Sequence, residues 1–497
     1  MIHCAAIFTD HMLLQRGKSI AVFGTGTAGE PVTVSVPQRH CTVSSAVQQD
    51  GTWRVTLPPM PAGTGCTLTV NEQEFSDVAF EVYCWRAVQY GIYAERCQER
   101  NGGTGTVPEL QRAVFSVPRT VPQTMPTLHG TLPLELPDPE TSGTWSAAAY
   151  LAAKELAHTQ GVPVGIIGCN YGGSSVSCWL PESDLQAHTA GHPYLQDYAD
   201  AAAGKTDAEM IAEYDEYVAY HTAWESRMQK CYQEDSNMPW DEIIRRCGEN
   251  RYPGPLGIKS PYRPAGMYHT MLQRVVPYTI RGFFYYQGEN DEIRPDTYGT
   301  LLTMLIARWR QDFEDARLPF ILVQLPMHTY ADTPENGREP AAEAQMQVYQ
   351  TVKHTGIAVI LDCGEYCNIH PVDKHPVGHR LALQARQLVY GERNWRRSTD
   401  LPQLRCGGQY ADGVLSHAAQ GMEWYGTCGF RSPVHGVSRR QSSAGRRHGA
   451  VDGGRSAGSC CGTVQPGELR CSYAVREKRD SGGTVPDGSS LPLTAVS

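Results

Sequence analysis

Three kinds of sequence feature are missing from this chain, and each absence excludes a class of protein. No run of about 18 apolar residues occurs, so we expect no membrane-spanning helix. The N-terminus, MIHCAAIFTDHMLLQRGKSIAVFG, lacks the basic start, unbroken apolar stretch and small-residue cleavage site of a signal peptide, so we expect a cytoplasmic protein. Positive charge is not in excess, since 43 Lys and Arg residues face 52 Asp and Glu residues. We therefore expect neither nucleic acid nor a membrane as a partner.

Apolar residues, in contrast, are plentiful: 41% of the 497 residues are hydrophobic and 19% are charged. A chain of this length and composition can bury a large core, and it predicts about two to four domains. Its 16 cysteines are many for a cytosolic enzyme, but they lack the tight spacing of a small disulfide-rich secreted protein. We therefore predict reduced thiols.

Two patterns of hydrophobicity divide the chain. Residues 1–80 contain short alternating runs, such as SIAVFGTG, PVTVSV and GTWRVTLPPM, which predict an N-terminal β module. From about residue 145, the Ala-rich helix pattern WSAAAYLAAKELAHTQ ends at Gly161 and is followed by the apolar run VPVGIIGCN. The same alternation continues through IRGFFYYQGEND, TYGTLLTMLIARWRQDF, LPFILVQLP, HTGIAVILDCGE and PVGHRLALQARQLVYG. This predicts an α/β fold with a mostly parallel sheet, which binds ligands at the carboxyl ends of its strands.

The domain boundaries are placed where these patterns change. The α/β core is predicted to span 81–398, with a polar, Tyr-rich helical insertion or lid at 185–260. For that insertion, a solvated helical pair is favoured over a binding helix. Residues 399–497 predict a C-terminal β segment around QGMEWYGTCGF, which becomes irregular and rich in Arg, Gly and Ser between Arg431 and Cys461.

Polar residues follow three of the predicted strands. Asn170–Ser175 contains adjacent glycines that would expose backbone N–H donors. Gln287–Asp291 places amides and carboxylates directly after the apolar run FFYY, where burial of such groups is costly unless they have a role. Asn368–Pro371 contains His370, a natural general base. Together the three segments predict a site at one edge of the sheet.

These segments resemble known sequences. The chain resembles the sialate O-acetylesterases, a carbohydrate-esterase branch of the SGNH hydrolases, in HMLLQRGKSIAVFGTG, GTWRVTLPPMPAG, VPVGIIGCNYGGSSVSCWL, GFFYYQGEND and NIHPVDKHPVGHRLALQAR. The resemblance implies a flavodoxin-like three-layer core flanked by β modules, and a Ser–His–acid mechanism that removes acetyl groups from sugar hydroxyls. It therefore implies an acetylated carbohydrate as the small-molecule partner. No cofactor is implied, since acyl transfer to water by a serine needs none.

The resemblance also assigns roles to individual positions. His370 matches the base that would take the nucleophile's proton and return it to the leaving sugar oxygen. Gly288-Glu289-Asn290-Asp291 matches the superfamily's G-x-N-D block, which makes the Asn290 side chain an oxyanion donor. Gly172 or Gly173 would add a backbone donor, and such donors each contribute about 3 kcal/mol of transition-state stabilisation. The remaining matched residues, expected to line the acyl pocket or orient its hydrogen bonds, are Gln287 and Glu289.

One departure from the family concerns the acid that orients the histidine. In this superfamily an Asp usually stands three residues before the His, and here that position is Cys367. A thiol is a poor substitute for a carboxylate that must fix the imidazole tautomer. Asp362, Glu365 and Glu289 are the alternatives.

The larger departure is the nucleophile. The family carries it in a G-Q-S-N-M-E segment shortly after a strand resembling DVAFGEVYLAGG, whereas this chain reads DVAFEVYCWRAVQYGIYAER, with no Ser between Ser76 and Ser116. The serine is expected near Val88 and Gln89. Tyr90, Tyr93 and Cys84 are poor replacements, since an unperturbed Tyr titrates near pH 10 and the cysteine is expected to be buried on the strand side.

A shift of reading frame would explain the loss. With suitable synonymous codons for residues 85–96, a reading that starts one base later spells Gly-Gly-Gln-Ser-Asn-Met-Glu-Phe-Thr-Leu-Asn. The lost serine codon then straddles Val88 and Gln89, and the family pattern resumes near Phe115. A similar shift is suspected after Phe430.

Two other functions stay open. Cys363, Cys367, His370, His375 and His379 lie within 17 positions and include zinc-ligand types, but their spacing fits no standard finger and no metal site is predicted. A non-catalytic sugar-binding protein is the second alternative, which the missing serine favours for the chain as written. The tryptophans expected in the core rather than in a binding site are Trp53, Trp179 and Trp309.

Overall fold

The computed structural model describes most of the first four-fifths of the chain. The structure describes residues 1–80 and 145–392. Within the second range, residues 236–237, 239, 327, 329–338, 365–370 and 372 are not described. Strand backbones are also described at 85–89, 114–116, 134–135, 405–406 and 409–410. The chain forms two compact units, residues 1–395 and 396–497.

Residues 1–80 of the first unit form two antiparallel sheets. Their strands are β1 (His3–Cys4), β2 (Ile20–Thr25), β3 (Pro31–Val36), β4 (Cys41–Ala46), β5 (Thr52–Leu57), β6 (Gly63–Val70) and β7 (Gln73–Phe80). One sheet has the order β1-β2-β5 and the other the order β4-β3-β6-β7. Buried residues alternate with less buried ones along β3 and β5, as expected for strands with one face in a core. The β content predicted for this region is confirmed, while the boundary at residue 80 stays a prediction.

A seven-stranded sheet lies at the centre of the first unit. Its strands are β8 (Trp85–Gln89), β9 (Val114–Ser116), β10 (Leu134–Glu135), β11 (Ile166–Gly168), β12 (Gly282–Tyr286), β13 (Phe320–Gln324) and β14 (Thr355–Val359). The order is β10-β9-β11-β8-β12-β13-β14, and every neighbouring pair is parallel except β10 with β9. All five residues of β12 and of β13 are buried, which is typical of parallel strands covered on both faces.

The helices of the described residues include long ones that cover the sheet and shorter ones in its connections. They are α1 (Ala147–Gln160), α2 (Glu182–Ala187), α3 (His192–Ala202), α4 (Asp207–Glu234), α5 (Trp240–Cys247), α6 (Gly266–Thr270), α7 (Pro295–Asp312), α8 (Glu339–Thr351) and α9 (His375–Tyr390). Helix α1 ends at Gly161, which adopts φ +63°, as the sequence predicted. None of the helices described here is long and apolar enough to cross a membrane.

Helices cover both faces of the sheet. The ring of Phe320 on β13 lies 5.9 Å from the ring of Trp309 on α7. A Cβ atom at Gly356 on β14 would lie 3.3 Å from Ile321 of β13 and 3.0 Å from Gln384 of α9. Phe320 and Ile321 are consecutive strand residues, so their side chains point to opposite faces. Helices α7 and α9 therefore lie on opposite sides, and the predicted α/β arrangement is confirmed at this level.

The region predicted as a helical insertion is helical. Its longest helix, α4, begins with a capping box in which the Thr206 side chain accepts from the Glu209 N–H and the Glu209 side chain accepts from the Thr206 N–H. Helices α4 and α5 enclose a small separate core, formed by Trp224, Cys231, Met238, Ile243 and Cys247. The predicted role as a lid stays a prediction.

The predicted core positions of three tryptophans are confirmed. Trp53, Trp179 and Trp309 are all fully buried. Trp179 and Trp309 pack edge to face at a centroid distance of 6.1 Å, and the Trp309 indole donates a hydrogen bond to the Trp179 carbonyl. Their burial leaves no ring surface for a ligand.

In the second unit, the described residues are two short antiparallel strands, β15 (Arg405–Cys406) and β16 (Gln409–Tyr410). The predictions for QGMEWYGTCGF and for the Arg-rich stretch lie outside the described residues.

Candidate active site

The carboxyl ends of β8, β11 and β12 meet at one edge of the central sheet. In the parallel register, Gly168 of β11 pairs with Ala87 of β8, and Gln89 of β8 pairs with Tyr286 of β12. The segments 169–175 and 287–291 leave the sheet from these ends. The structure therefore brings two of the three predicted polar segments to the edge where the family serine is expected, near Val88 and Gln89.

Asp291 is the centre of a buried hydrogen-bond network at this edge. The side chain is fully buried. One carboxylate oxygen accepts from the Val176 N–H at 2.9 Å and from the Gln287 amide, while the other accepts from the Tyr194 hydroxyl at 2.8 Å. A buried carboxylate is expensive unless donors satisfy it, and here three donors do so.

Burial also changes the acidity of Asp291. Loss of hydration raises the pKa of its carboxyl group from 3.8 to about 6, and the negative charge of Glu289 acts in the same direction. Hydrogen bonds from Gln287, Tyr194 and Val176 act in the opposite direction. The burial effect is the largest, so the carboxyl group takes up a proton more readily in the folded protein than in the unfolded chain.

The Gln287 side chain joins the two polar segments. Its amide group donates to the Ser174 carbonyl at 3.0 Å, and its carbonyl group accepts from the Tyr285 hydroxyl at 2.9 Å. These bonds lie entirely within the protein. The two roles predicted for Gln287, lining the acyl pocket or orienting its hydrogen bonds, stay predictions.

Gly288 follows at a backbone conformation that favours glycine. Its φ is +142°, and a Cβ atom there would lie 2.8 Å from the Tyr298 hydroxyl. That hydroxyl donates to the Gln287 main-chain carbonyl at 2.9 Å, and the Gln345 side chain donates to the same oxygen at 2.9 Å. The chain can therefore turn sharply after β12 only because position 288 has no side chain.

Glu289 and Asn290 lie on the turn that Gly288 begins. Both belong to the short 3-10 helix Glu289–Asp291 and are half-buried. They flank the fully buried Asp291 at the edge of the sheet. This places the predicted oxyanion donor Asn290 on a segment whose backbone is fixed from both sides.

Two tyrosine hydroxyls hold the glycine pair after β11. Tyr262 donates to the Gly172 carbonyl at 3.0 Å, and Tyr252 donates to the Gly173 carbonyl at 2.8 Å. In a trans peptide the C=O and the following N–H point in opposite directions. The N–H groups of Gly173 and Ser174 are therefore directed away from the two hydroxyls.

We expect Gly173→Ala to disrupt this loop. Gly173 has φ +63°, and a Cβ atom there would lie 1.5 Å from the Tyr252 hydroxyl. Gly161 has the same φ with nothing within 4 Å, so Gly161→Ala is the matched control for backbone strain alone. We expect the control to cost about 1 kcal/mol of unfolding free energy, and Gly173→Ala to cost about 1–3 kcal/mol more.

Denaturant unfolding measures both costs. Adding Tyr252→Ala to the Gly173→Ala variant removes the clashing hydroxyl and should recover part of the difference. Equal costs for the two glycine variants would contradict the contact between Tyr252 and this loop.

The sequence is similar to those of known carbohydrate esterases. Residues 257–385 match the family model for carbohydrate esterases described as sialic acid-specific acetylesterase. The sialate O-acetylesterase of Rattus norvegicus is 26% identical over 446 residues, covering 80% of this chain and 75% of the relative. The human sialate O-acetylesterase is 23% identical over 447 residues, covering 80% and 73%. The resemblance to the sialate O-acetylesterase family is confirmed.

A solved structure extends the likeness to the fold. A carbohydrate acetylesterase from Xanthomonas citri superposes with a TM-score of 0.57 at 23% identity, covering 79% of this chain and 76% of that chain. The segment that matches the sialic acid-specific acetylesterase family model contains β12, the Gln287–Asp291 segment, β13, β14 and the first part of α9. It does not include Gly172, Gly173 or β8.

His370, which the sequence resemblance predicts as the base, lies outside the described residues, as do Glu365 and Cys367. Its neighbour Lys374 is described: the ammonium group lies 5.4 Å from the centroid of the Tyr286 ring, at the end of β12. The chain four residues after His370 therefore runs beside the same sheet edge. The role of His370 stays a prediction.

Asp362, one of the carboxylates considered as a partner for His370, is engaged by an arginine. Both of its oxygens accept from the Arg380 guanidinium, one of them at 2.7 Å. Burial acts to raise the pKa of Asp362, but the hydrogen bonds and charge of Arg380 outweigh it and hold the pKa below 3.8. The contact fastens the loop after β14 to α9.

The described cysteine and histidine side chains that were considered as zinc ligands each contact a different residue. His375 Nδ1 lies 3.0 Å from Asp373, His379 Nδ1 lies 2.8 Å from Glu155, and Cys363 contacts Arg380. Among the residues that the structure describes, no three His, Cys, Asp or Glu side chains converge to hold a metal ion. Cys367 and His370 lie outside that set.

Sequence reasoning missed several residues that build the site. Tyr194 comes from α3, Gln345 from α8, and Tyr252 and Tyr262 from the segment between α5 and α6. Asp291 was placed in the G-x-N-D block but was given no role. These contacts join residues far apart in the chain, and no local pattern marks them.

Proposed function

We propose that this protein is built as a carbohydrate O-acetylesterase of the SGNH type, with a flavodoxin-like three-layer core. The observation that carries the proposal is the meeting of the Gly172-Gly173 loop, the end of β8 and the Gln287–Asp291 segment at one sheet edge. The sialate O-acetylesterase relatives suggest an acetylated sugar as the substrate, with acetylated sialic acid as the first to test.

The reaction would follow the serine-hydrolase scheme. A serine at the end of β8 attacks the acetyl carbonyl while His370 takes the hydroxyl proton. The negative oxygen of the tetrahedral intermediate accepts from the Asn290 side chain and from N–H groups of the loop that Tyr252 and Tyr262 orient. His370 then gives its proton to the leaving sugar oxygen, and water releases acetate from the acetyl-enzyme by the reverse roles.

The contacts of Asp362 reduce the number of candidates for the acid that orients His370. Because Arg380 occupies both Asp362 oxygens, we favour Glu289 or Glu365 as the partner of His370. Glu289 is half-buried on the turn after β12, and its position at the sheet edge suits this role.

The nucleophile is the missing part. The chain has Val88 and Gln89 where the serine is expected, and neither side chain can attack an ester. We propose that the DNA encodes this region in a shifted frame, which would restore Gly-Gly-Gln-Ser-Asn-Met-Glu. Sequencing the gene through codons 80 to 115 tests this directly, and one unbroken frame that encodes Val88 and Gln89 as written would refute it.

A sugar-binding protein without catalysis is the second candidate, and the absence of the serine favours it. Calorimetric titration of the full chain with acetylated and deacetylated sialic acid separates the two, with acetate measured in the same samples. Acetate release supports the esterase. Saturable binding that requires the acetyl group, without acetate release, supports the binding protein.

A further inference from the structure

Two cysteines lie side by side in the small core between α4 and α5. The sulfur atoms of Cys231 and Cys247 are 3.7 Å apart, and both residues are buried. This is a van der Waals contact between sulfurs, and a disulfide requires them to approach to about 2.0 Å. The two sulfur atoms therefore need to move only a short distance towards each other to form the bond.

We propose that Cys231 and Cys247 form a reversible disulfide that clamps α5 to α4. The pair packs in an apolar cluster with Trp224, Met238 and Ile243. A free thiol in such a core normally acts as a small hydrophobic side chain, but two thiols in contact can be oxidised to a disulfide.

The backbone around the pair is already held in place. The Arg227 side chain donates to the Cys247 carbonyl at 3.0 Å, and the Trp224 indole donates to the Gly248 carbonyl at 2.9 Å. Both bonds run from α4 to the end of α5. Closing the disulfide therefore adds a covalent bond to a contact that exists before oxidation.

Hydrogen peroxide is a sufficient oxidant for the step. The thiolate of one cysteine attacks a peroxide oxygen, the O–O bond breaks, and a sulfenic acid forms with release of water. The second thiolate then attacks that sulfur, the S–O bond breaks, and a second water leaves. Two thiol hydrogens and one peroxide yield one disulfide and two waters.

The environment controls the rate of this reaction. Burial, together with the neighbouring Cys231 thiol, raises the pKa of the Cys247 thiol, while the charges of Arg227 and Arg246 act against the increase. The reactive thiolate is thus scarce at neutral pH, and oxidation is expected to be slower than at an exposed cysteine.

The disulfide would act on a segment that reaches the sheet edge. The chain runs from Cys247 to Tyr252, whose hydroxyl bonds the Gly173 carbonyl. Between them, the Tyr220 hydroxyl of α4 donates to the Glu249 carbonyl. Clamping α5 to α4 therefore limits the motion of the segment that carries Tyr252, whatever reaction the edge performs.

The test uses the full-length chain, first reduced and then treated with hydrogen peroxide under native conditions. We expect non-reducing peptide mapping to find the peptides of Cys231 and Cys247 joined, with two titratable thiols lost and regained on reduction. Tryptic cleavage after Arg245 and Arg246 should slow by about tenfold in the oxidised form, since cleavage needs local opening.

Variants give the controls. Cys231→Ser and Cys247→Ser should each abolish the cross-link and the change in cleavage rate, whereas Cys66→Ser, at another buried thiol, should leave both unchanged. Should either serine variant fold poorly, native-state alkylation of the unmutated chain still gives the answer, because oxidation must remove these two thiols together. A cross-link that forms only in urea, or that joins either cysteine to a different one, overturns the proposal.

Discussion

Replacing residues 85–95 by Gly-Gly-Gln-Ser-Asn-Met-Glu-Phe-Thr-Leu-Asn is expected to raise hydrolysis of an aryl acetate by on the order of 10³-fold or more over the chain as written. The replacement puts a serine at the carboxyl end of β8, beside the Gly172-Gly173 loop and the turn that carries Asn290. The rate is measured by release of the aryl alcohol at neutral pH.

The matched control carries the same replacement with alanine in place of serine, and it should stay at the level of the unmodified chain. In the repaired chain His370→Ala should return the rate to that level, and Asn290→Ala should lower it by about 10²- to 10³-fold. In the unmodified chain His370→Ala should change nothing. Ready turnover by the unmodified chain that disappears in Cys84→Ala would instead identify a cysteine nucleophile.

Asp291→Ala is expected to give the largest loss of stability of any single substitution at the sheet edge. It removes the acceptor for the Val176 N–H, the Tyr194 hydroxyl and one N–H of Gln287, all in a buried position. Each buried donor left without a partner costs about 1–3 kcal/mol, so the unfolding free energy should fall by about 3–9 kcal/mol. Urea unfolding at pH 7 measures the change.

Asp291→Asn is the conservative control. Its carbonyl oxygen can accept from Val176 and Gln287, and its amide can donate to Tyr194, whose hydroxyl is able to accept. All three contacts are kept, so this variant should lose less than half of what the alanine variant loses. An equal loss in both variants would mean that the charge of Asp291, and not its role as an acceptor, stabilises the edge.

The stabilities of the unmodified chain and of Asp291→Asn are expected to depend differently on pH. Because folding raises the pKa of Asp291 from 3.8 to about 6, the folded state binds more protons between these values, and stability falls as pH rises through this window. A pKa difference of about two units corresponds to about 3 kcal/mol of unfolding free energy, and this stabilisation is fully lost above about pH 6. Asp291→Asn has no such proton, so its stability relative to the unmodified chain should increase from about pH 4 to about pH 6 and then level off. A constant difference across that range would show that the carboxyl group titrates normally.

The regular elements were predictable where the sequence carries a strong period or a clear end signal. Helix α1 has an Ala-rich helical pattern closed by Gly161, and β12 and β13 are unbroken apolar runs, as strands buried on both faces must be. Strand β4 was missed because four of its six residues are exposed, so the alternation that marks a half-buried strand extends only over Cys41 and Val43.

The site was predictable only in its local part. Gln287 and Gly288 are visible because polar residues and glycine directly follow a buried strand. Tyr194 and Tyr252 are invisible, since their hydroxyls bond atoms 97 and 79 residues away in the chain. A single sequence shows which residue types follow a strand, but pairing across such separations depends on how the elements pack.

The network around Asp291 has a consequence for how this gene can change over time. Its carboxylate accepts hydrogen bonds from Val176, Tyr194 and Gln287, none of which lies between residues 81 and 115, where the frame shift is proposed. Under the proposed frame shift, the contacts of Asp291 do not depend on the nucleophile segment, and selection for a folded protein would preserve them. A loss of activity with that origin would be genetically reversible, because a change confined to one short segment would find its partners already in position.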